Sequence, residues 1–76
     1  MEGEIVAKSY CYTTKKNGGM YIDCSYDPDF LEVLKSSVPA HSRKYDPETK
    51  QWWVSDKYMR QAERDCNTFF ENVIEA

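Results

Sequence analysis

Residues 43–54 hold the side chains best suited to chemistry in this chain, because two adjacent tryptophans lie there among lysine and arginine residues. Indole rings stack on unpaired nucleobases, and basic side chains contact phosphates. The residues suited to such contacts are Arg43, Lys44, Tyr45, Lys50, Trp53, Lys57 and Arg60. The pattern predicts a surface for unpaired bases and their phosphates at this part of the chain.

Positively charged residues are concentrated in the same region. Residues 35–60 carry six Lys or Arg against three Asp or Glu, whereas the whole chain has a net charge of −3. Classical nucleic-acid-binding domains are basic overall, so tight binding by charge alone is not expected. The ordinary alternative is a solvated polar face in which Asp46, Glu48 and Asp56 are interspersed among the cations.

The two tryptophans are neighbours in a predicted strand, so their side chains point to opposite faces of a sheet. Trp52 shares its face with Val54 and is expected in the core under the helices. Trp53 is then expected on the open face, where it forms a stacking platform with Tyr21 or Tyr45. The alternative is that Trp53 packs against the first hairpin or a protein partner.

The remaining reactive residues do not form a recognisable catalytic or metal-binding pattern. The three cysteines, Cys11, Cys24 and Cys66, include no C-x-x-C pair, and His41 is the single histidine. A structural zinc site normally needs four Cys or His ligands, and an odd cysteine count argues against a disulfide framework. We therefore expect three buried, reduced thiols, no cofactor, no metal and no enzymatic activity.

The first half of the chain predicts a hairpin and a helix. Residues 4–12 and 20–26 alternate as strands do, and residues 15–19 read as the turn between them. Lys15 and Lys16 at its tip either probe a groove or keep the loop solvated. Asp27 is a typical N-cap and Pro28 a typical first helical residue. The helix presents an apolar stripe and stops at Pro39.

The second half repeats this order. A turn at Asp46 and Pro47 joins a strand containing Tyr45 to one at residues 52–54, with a loop of about four to five residues. Ser55 or Asp56 can cap a final helix that runs nearly to the C-terminus. Its apolar stripe consists of Met59, Ala62, Cys66, Phe69, Phe70 and Val73.

These elements give an α+β fold of order ββαββα, one domain over residues 1–76. We expect a four-stranded, largely antiparallel sheet with two helices on one face and the other face at least partly exposed. No apolar run approaches the ~18 residues of a membrane span, and the first residues are acidic where a secretory signal is basic. The sequence favours a cytoplasmic monomer or weak homodimer without a membrane partner.

The string Arg43-x-Tyr45-Asp46-x-x-Thr49-Lys50-x-Trp52-x-Val54, following the aspartate–proline helix start, resembles the HARP-type module of annealing helicases of the Swi/Snf class. The resemblance covers roughly residues 5–75. It implies a helper domain that contacts branched or junction DNA beside a helicase motor. This chain contains no phosphate-binding loop, so the motor would be a separate protein. A free-standing copy would suit a phage or mobile-element protein.

Two functions remain open at this stage. One is a non-enzymatic accessory domain that binds DNA. The other is a protein–protein interaction module that uses its open sheet face without binding DNA. Charge placement separates them: convergence of Arg43, Lys50, Lys57 and Arg60 around Trp53 favours the first, and carboxylates around Trp53 favour the second.

Overall fold

A computed structural model describes residues 10–75, which form one five-stranded sheet and two α-helices. The elements in chain order are β1 (Cys11–Lys16), β2 (Gly19–Cys24), α1 (Pro28–Ser37), β3 (Arg43–Asp46), β4 (Gln51–Ser55), α2 (Met59–Phe69) and β5 (Val73–Glu75). The strand order is β3-β4-β2-β1-β5. All neighbouring strands are antiparallel except β1 and β5, which are parallel.

The mixed α+β class is confirmed, but the sheet has a fifth strand that the sequence did not predict. Helix α2 ends at Phe69, and the next residue, Phe70, is already extended, with φ −121° and ψ 132°. The predicted final helix is therefore too long at its C-terminal end. Val73, which was assigned to its apolar stripe, belongs to β5 and pairs with Cys11. The short β5 covers the edge of β1 that would otherwise expose unpaired backbone groups.

The first hairpin turns more tightly than predicted. Its loop is only Asn17 and Gly18, whose φ angles of 57° and 73° are those of a type I′ turn. Lys15, Lys16 and Gly19 are strand residues, so the predicted turn at 15–19 was wrong at both ends. Most of the predicted strand at residues 4–12 lies outside the described residues, within which β1 begins at Cys11.

Helix α1 starts as the sequence predicted. The Asp27 side chain accepts hydrogen bonds from the backbone N–H groups of Asp29 and Phe30, at 3.0 and 3.2 Å. The start of α2 differs, because Ser55 accepts from the Lys57 N–H and thereby caps a 3-10 turn, Asp56–Tyr58. Helix α2 follows that turn and has no side-chain cap of its own.

Both helices pack on one face of the sheet, which we call the helix face. The buried apolar residues are Cys11, Met20, Ile22, Phe30, Leu34, Val38, Val54, Ala62, Cys66 and Phe70. The ring of Phe30 lies edge-on to Phe69 and Phe70, with centroids 6.0 and 5.1 Å apart. Within residues 10–75, neither helix is long and apolar enough to cross a membrane. The other side of the sheet, the open face, carries the alternate strand residues.

Gly19 allows a close approach between β2 and β4. A Cβ atom at this position would lie 2.1 Å from the backbone oxygen of Val54 and 2.8 Å from two ring atoms of Trp53. The indole of Trp53 therefore lies against the glycine backbone, as aromatic side chains do when they cover a strand glycine. This contact fixes the position of Trp53 on the open face.

Replacing Gly19 with alanine is expected to lower the free energy of unfolding by about 2 kcal/mol, because overpacking forces the strand and the indole apart. Urea unfolding followed by tryptophan fluorescence measures the loss, and the native spectrum should shift as Trp53 moves. Gly18→Ala is the control. An added Cβ at Gly18 meets nothing within 4 Å, so this variant causes no steric clash. It should lower the free energy of unfolding by only about 1 kcal/mol, because residue 18 has a left-handed backbone conformation. A Gly19→Ala protein as stable as the parent would contradict the close contact.

Candidate nucleic-acid interface

The fold divides the predicted site residues between different surfaces. Trp53 and Lys44 lie directly opposite each other on the open face. Arg43 and Tyr45 alternate with Lys44 along β3, so their side chains are on the helix face. The others lie off the strands: Lys50 is in the β3–β4 loop, Lys57 in the 3-10 turn and Arg60 in the first turn of α2.

Four side chains form a continuous line across the open face, which we call the aromatic row: Thr14, Tyr21, Trp53 and Lys44. Each is paired directly with the next across the strands β1, β2, β4 and β3. Directly opposed residues have Cβ atoms about 4.5–5.5 Å apart, so Tyr21 and Trp53 are neighbouring side chains on this face. The alternation of the strands thus selects Tyr21, and not Tyr45, as the partner of Trp53.

A second lysine completes the row, and the sequence analysis assigned it no role there. The Lys16 ammonium lies 5.7 Å from the centroid of the Tyr21 ring. The Tyr21 hydroxyl also accepts a hydrogen bond from the Asn17 amide at 3.2 Å. The Asn17–Gly18 turn could have predicted the position of Lys16, since a two-residue loop makes Lys16 the last residue of β1. Lysines therefore flank the aromatic pair on both sides.

Trp53 is half-buried and lies at the wall of a shallow pocket of about 540 Å³. The pocket is lined by Asn17, Tyr21, Lys44, Tyr45, Asp46, Pro47 and Trp53. The indole Nε1–H is buried and has no hydrogen-bond partner among the described residues. Buried indole donors usually find an acceptor. Because the Nε1 atom is buried, this donor is not presented on the surface of the aromatic row.

The charges on the open face are mixed. Asp23 lies opposite Tyr12, and Asp46 lies opposite Gln51. Each aspartate is two residues along its strand from a member of the aromatic row. The Asp46 carboxylate already accepts a hydrogen bond from the Glu48 N–H at 2.9 Å. The strands therefore present lysines at the row and aspartates beyond it. Neither the predicted cation cluster nor a ring of carboxylates forms around Trp53.

Arg43 forms hydrogen bonds at the C-terminal end of α1. Its Nη1 donates hydrogen bonds to the backbone oxygens of Val38 and Lys35. These are among the last carbonyl groups of α1, which have no partner inside the helix. The half-buried guanidinium therefore has a structural role at the end of α1, and its contact with phosphate stays a prediction.

Tyr45 belongs to a second aromatic surface on the helix face. Its ring centroid is 5.2 Å from that of Trp52, and the Lys35 ammonium lies 5.8 Å from the Trp52 ring. Trp52 packs against the core, as the sequence predicted. These residues border a pocket of about 590 Å³ that also includes Lys50 and Cys24. Lys50 lines this pocket, whereas Tyr45, on the edge strand β3, borders both this pocket and the one that contains Trp53.

Lys57 and Arg60 are exposed and follow the end of β4. The chain there turns into α2, whose Ala62 and Cys66 pack on the helix face. These two cations therefore lie with the helices and do not extend the aromatic row. Of the seven predicted residues, Lys44, Tyr45 and Trp53 border one pocket, and Tyr45 and Lys50 border the other. Neither pocket is lined by Arg43, Lys57 or Arg60.

The three cysteines, which are far apart in the sequence, meet at the core. Cys11 and Cys66 are buried as predicted, but Cys24 is only partly buried. Cys11 is paired with Cys24 across the strands and also contacts Cys66. The Cys24 contact lowers the pKa of Cys11, but a hydrogen bond with Cys66 and burial raise this pKa more, to about 12. The hydrogen bond with Cys11 and burial raise the pKa of Cys24. No group of three metal-ligating side chains within residues 10–75 is arranged to hold a metal ion.

A scan against protein-family models, a search of curated proteins and a search of solved structures each found no match. The resemblance to HARP-type modules therefore stays a prediction from the residues of the second hairpin. The geometry of the open face is the independent basis for a functional assignment.

Arg43→Ala is expected to lower the free energy of unfolding by about 2 kcal/mol, because hydrogen bonds from a charged donor to the end of α1 are lost. Lys44→Ala, one residue further along the same strand, should change it by less than about 0.5 kcal/mol. Urea unfolding followed by circular dichroism compares the two variants. Equal stability of both would contradict the structural role of Arg43.

Proposed function

We propose that this protein is a small, non-enzymatic, nucleic-acid-associated accessory domain that contacts single-stranded segments of DNA through its open face. The observation that carries the proposal is the aromatic row, in which Tyr21 and Trp53 lie side by side between Lys16 and Lys44. This pairing of stacking surfaces with flanking cations suits unpaired bases and their phosphates.

Single-stranded ligands fit this surface better than duplexes do. Stacking on an aromatic side chain contributes about 1–3 kcal/mol per base, and it needs a base whose face is free. Sheet surfaces that carry aromatic residues on adjacent strands bind single strands in this way. A duplex hides the faces of its bases and would have to be bound through cations, of which the row has few.

The small number of cations also sets the expected affinity. If Lys16 and Lys44 each neutralise one phosphate, the logarithm of the binding constant falls with the logarithm of salt concentration with a slope of about −1.4. Such binding is weak and suits a domain that assists a stronger binder. On this proposal the stronger binder is a helicase motor, as the resemblance to HARP-type modules implies, and the domain acts beside DNA in the cytoplasm.

A protein partner on the same face is the second candidate. It is favoured by Asp23, which interrupts the positive charge, and by the exposed Tyr12 and Ile74, which extend the face toward β5 with apolar surface. Exposed Tyr and aliphatic side chains on one sheet face are typical of protein contacts. This candidate requires no contact between Lys44 and phosphate.

A matched pair of charge-reversal variants tests the proposal. Lys16→Glu with Lys44→Glu should weaken binding of a labelled forked DNA with single-stranded arms at least tenfold at low salt, because both phosphate contacts become repulsive. Lys57→Glu with Arg60→Glu makes the same charge change beside the helices and should retain most of the binding. Fluorescence anisotropy measures both.

The contrast between the two variants decides the outcome. Equal loss in both would mean that only net charge matters, and a larger loss in the second would place the site on the helices. Absence of binding by the parent protein at low salt would reject direct DNA contact. Affinity capture with and without Tyr12→Ala would then test the protein partner.

A further inference from the structure

Cys11 and Cys24 occupy a position that favours a covalent link between strands. They lie directly opposite each other on β1 and β2. The adjacent pair is hydrogen-bonded, since the Ser25 N–H donates to the Tyr10 oxygen at 3.0 Å. Hydrogen-bonded and non-bonded pairs alternate along antiparallel strands, so Cys11 and Cys24 form a non-bonded pair.

Such pairs have the dimensions of a disulfide. Their Cα atoms are about 4.5 Å apart, within the range of about 4.4–6.8 Å that disulfides span. Both side chains are on the helix face, so the two sulfur atoms lie on the same side of the hairpin. Little backbone movement is needed to join the sulfur atoms.

The two thiols differ in accessibility. Cys11 is 1% exposed, whereas Cys24 is partly exposed and lines the pocket beside Tyr26, Tyr45 and Trp52. A small reagent can therefore reach Cys24 from solvent, and Cys11 lies immediately behind it. Cys66, the third thiol, is fully buried on α2.

We propose that Cys11 and Cys24 are a modification site at which a low-molecular-weight disulfide, such as oxidised glutathione, introduces a cross-strand disulfide. The inference is independent of nucleic-acid binding. It assigns the pocket on the helix face as the entry path for the reagent and leaves Cys66 as a free thiol.

The reaction proceeds by two exchanges. The Cys24 thiolate attacks one sulfur of oxidised glutathione, which forms a mixed disulfide and releases a glutathione thiolate. The Cys11 thiolate then attacks Cys24 Sγ, which breaks the mixed disulfide and releases a second glutathione thiolate. The released thiolates take up the two protons that the cysteines lose, so two protein thiols are oxidised and one glutathione disulfide is reduced.

The surroundings make this exchange slow at neutral pH. Hydrogen bonding between the thiols, burial and the carboxylates of Asp23 and Asp27 hold the pKa of Cys24 above its ordinary value. Lys50 lines the same pocket as Cys24. Because the thiolate is the nucleophile, the pair is protected from casual oxidation and responds to a sustained excess of disulfide.

The competing link between Cys11 and Cys66 is disfavoured by access and by position. Both of these thiols are almost completely buried, so neither is a first point of attack. They also come from a strand and a helix, whereas Cys11 and Cys24 are held face to face by the hairpin. The cross-strand link closes a short loop and should raise the thermal unfolding midpoint by roughly 10 °C.

Peptide mapping of the intact, folded protein tests the proposal. The protein is incubated with oxidised glutathione, free thiols are alkylated under denaturing conditions, and trypsin is added. Lys15 and Lys16 separate Cys11 from Cys24, and Arg60 and Arg64 precede Cys66, so each cysteine falls in its own peptide. We expect a disulfide between the first two peptides and an alkylated Cys66.

Two variants complete the experiment. Cys66→Ala should still form the disulfide, whereas Cys24→Ser should form neither the disulfide nor a glutathione adduct on Cys11. Reduction should restore the original unfolding midpoint. A link that includes Cys66, a glutathione adduct that persists on Cys24, or three alkylated cysteines after prolonged incubation would each overturn the proposal.

Discussion

The register of β1 against β2, which the Asn17–Gly18 turn fixes, is the constraint on which the rest of this structure depends. Strand side chains alternate with a period of two, so a slip of one residue would move every side chain to the other face. The left-handed conformation of both turn residues closes the hairpin with Lys16 opposite Gly19. The other five pairs between β1 and β2 follow from that closure.

The same register separates two kinds of chemistry. On the helix face it aligns Cys11 with Cys24 over the core, where burial keeps the thiols protonated. On the open face, the pairing of β2 with β4 places Tyr21 opposite Trp53, whose indole lies against Gly19 and is thereby held in one position. A rigid aromatic surface loses little conformational entropy when a ligand stacks on it, which favours its use in binding.

Local sequence patterns predicted the structure correctly where it depends on residues that are close together in the chain. The Asp27 cap and the opposite faces of Trp52 and Trp53 needed only local rules. Contacts between distant residues were not predictable in this way. The three-residue β5 exists only because β1 offers an edge, and the role of Arg43 depends on how near β3 lies to the end of α1. The thiol cluster likewise requires the sheet register.

The most direct measurement of the central claim follows the two indole N–H signals in nitrogen-15 NMR spectra while a single-stranded oligonucleotide is added at low salt. Trp52 and Trp53 lie on opposite faces and report on them separately. Binding on the open face shifts the Trp53 signal, together with the amides of Tyr21 and Lys44, and leaves Trp52 in place. A shift confined to Trp52 and its neighbours would contradict this account.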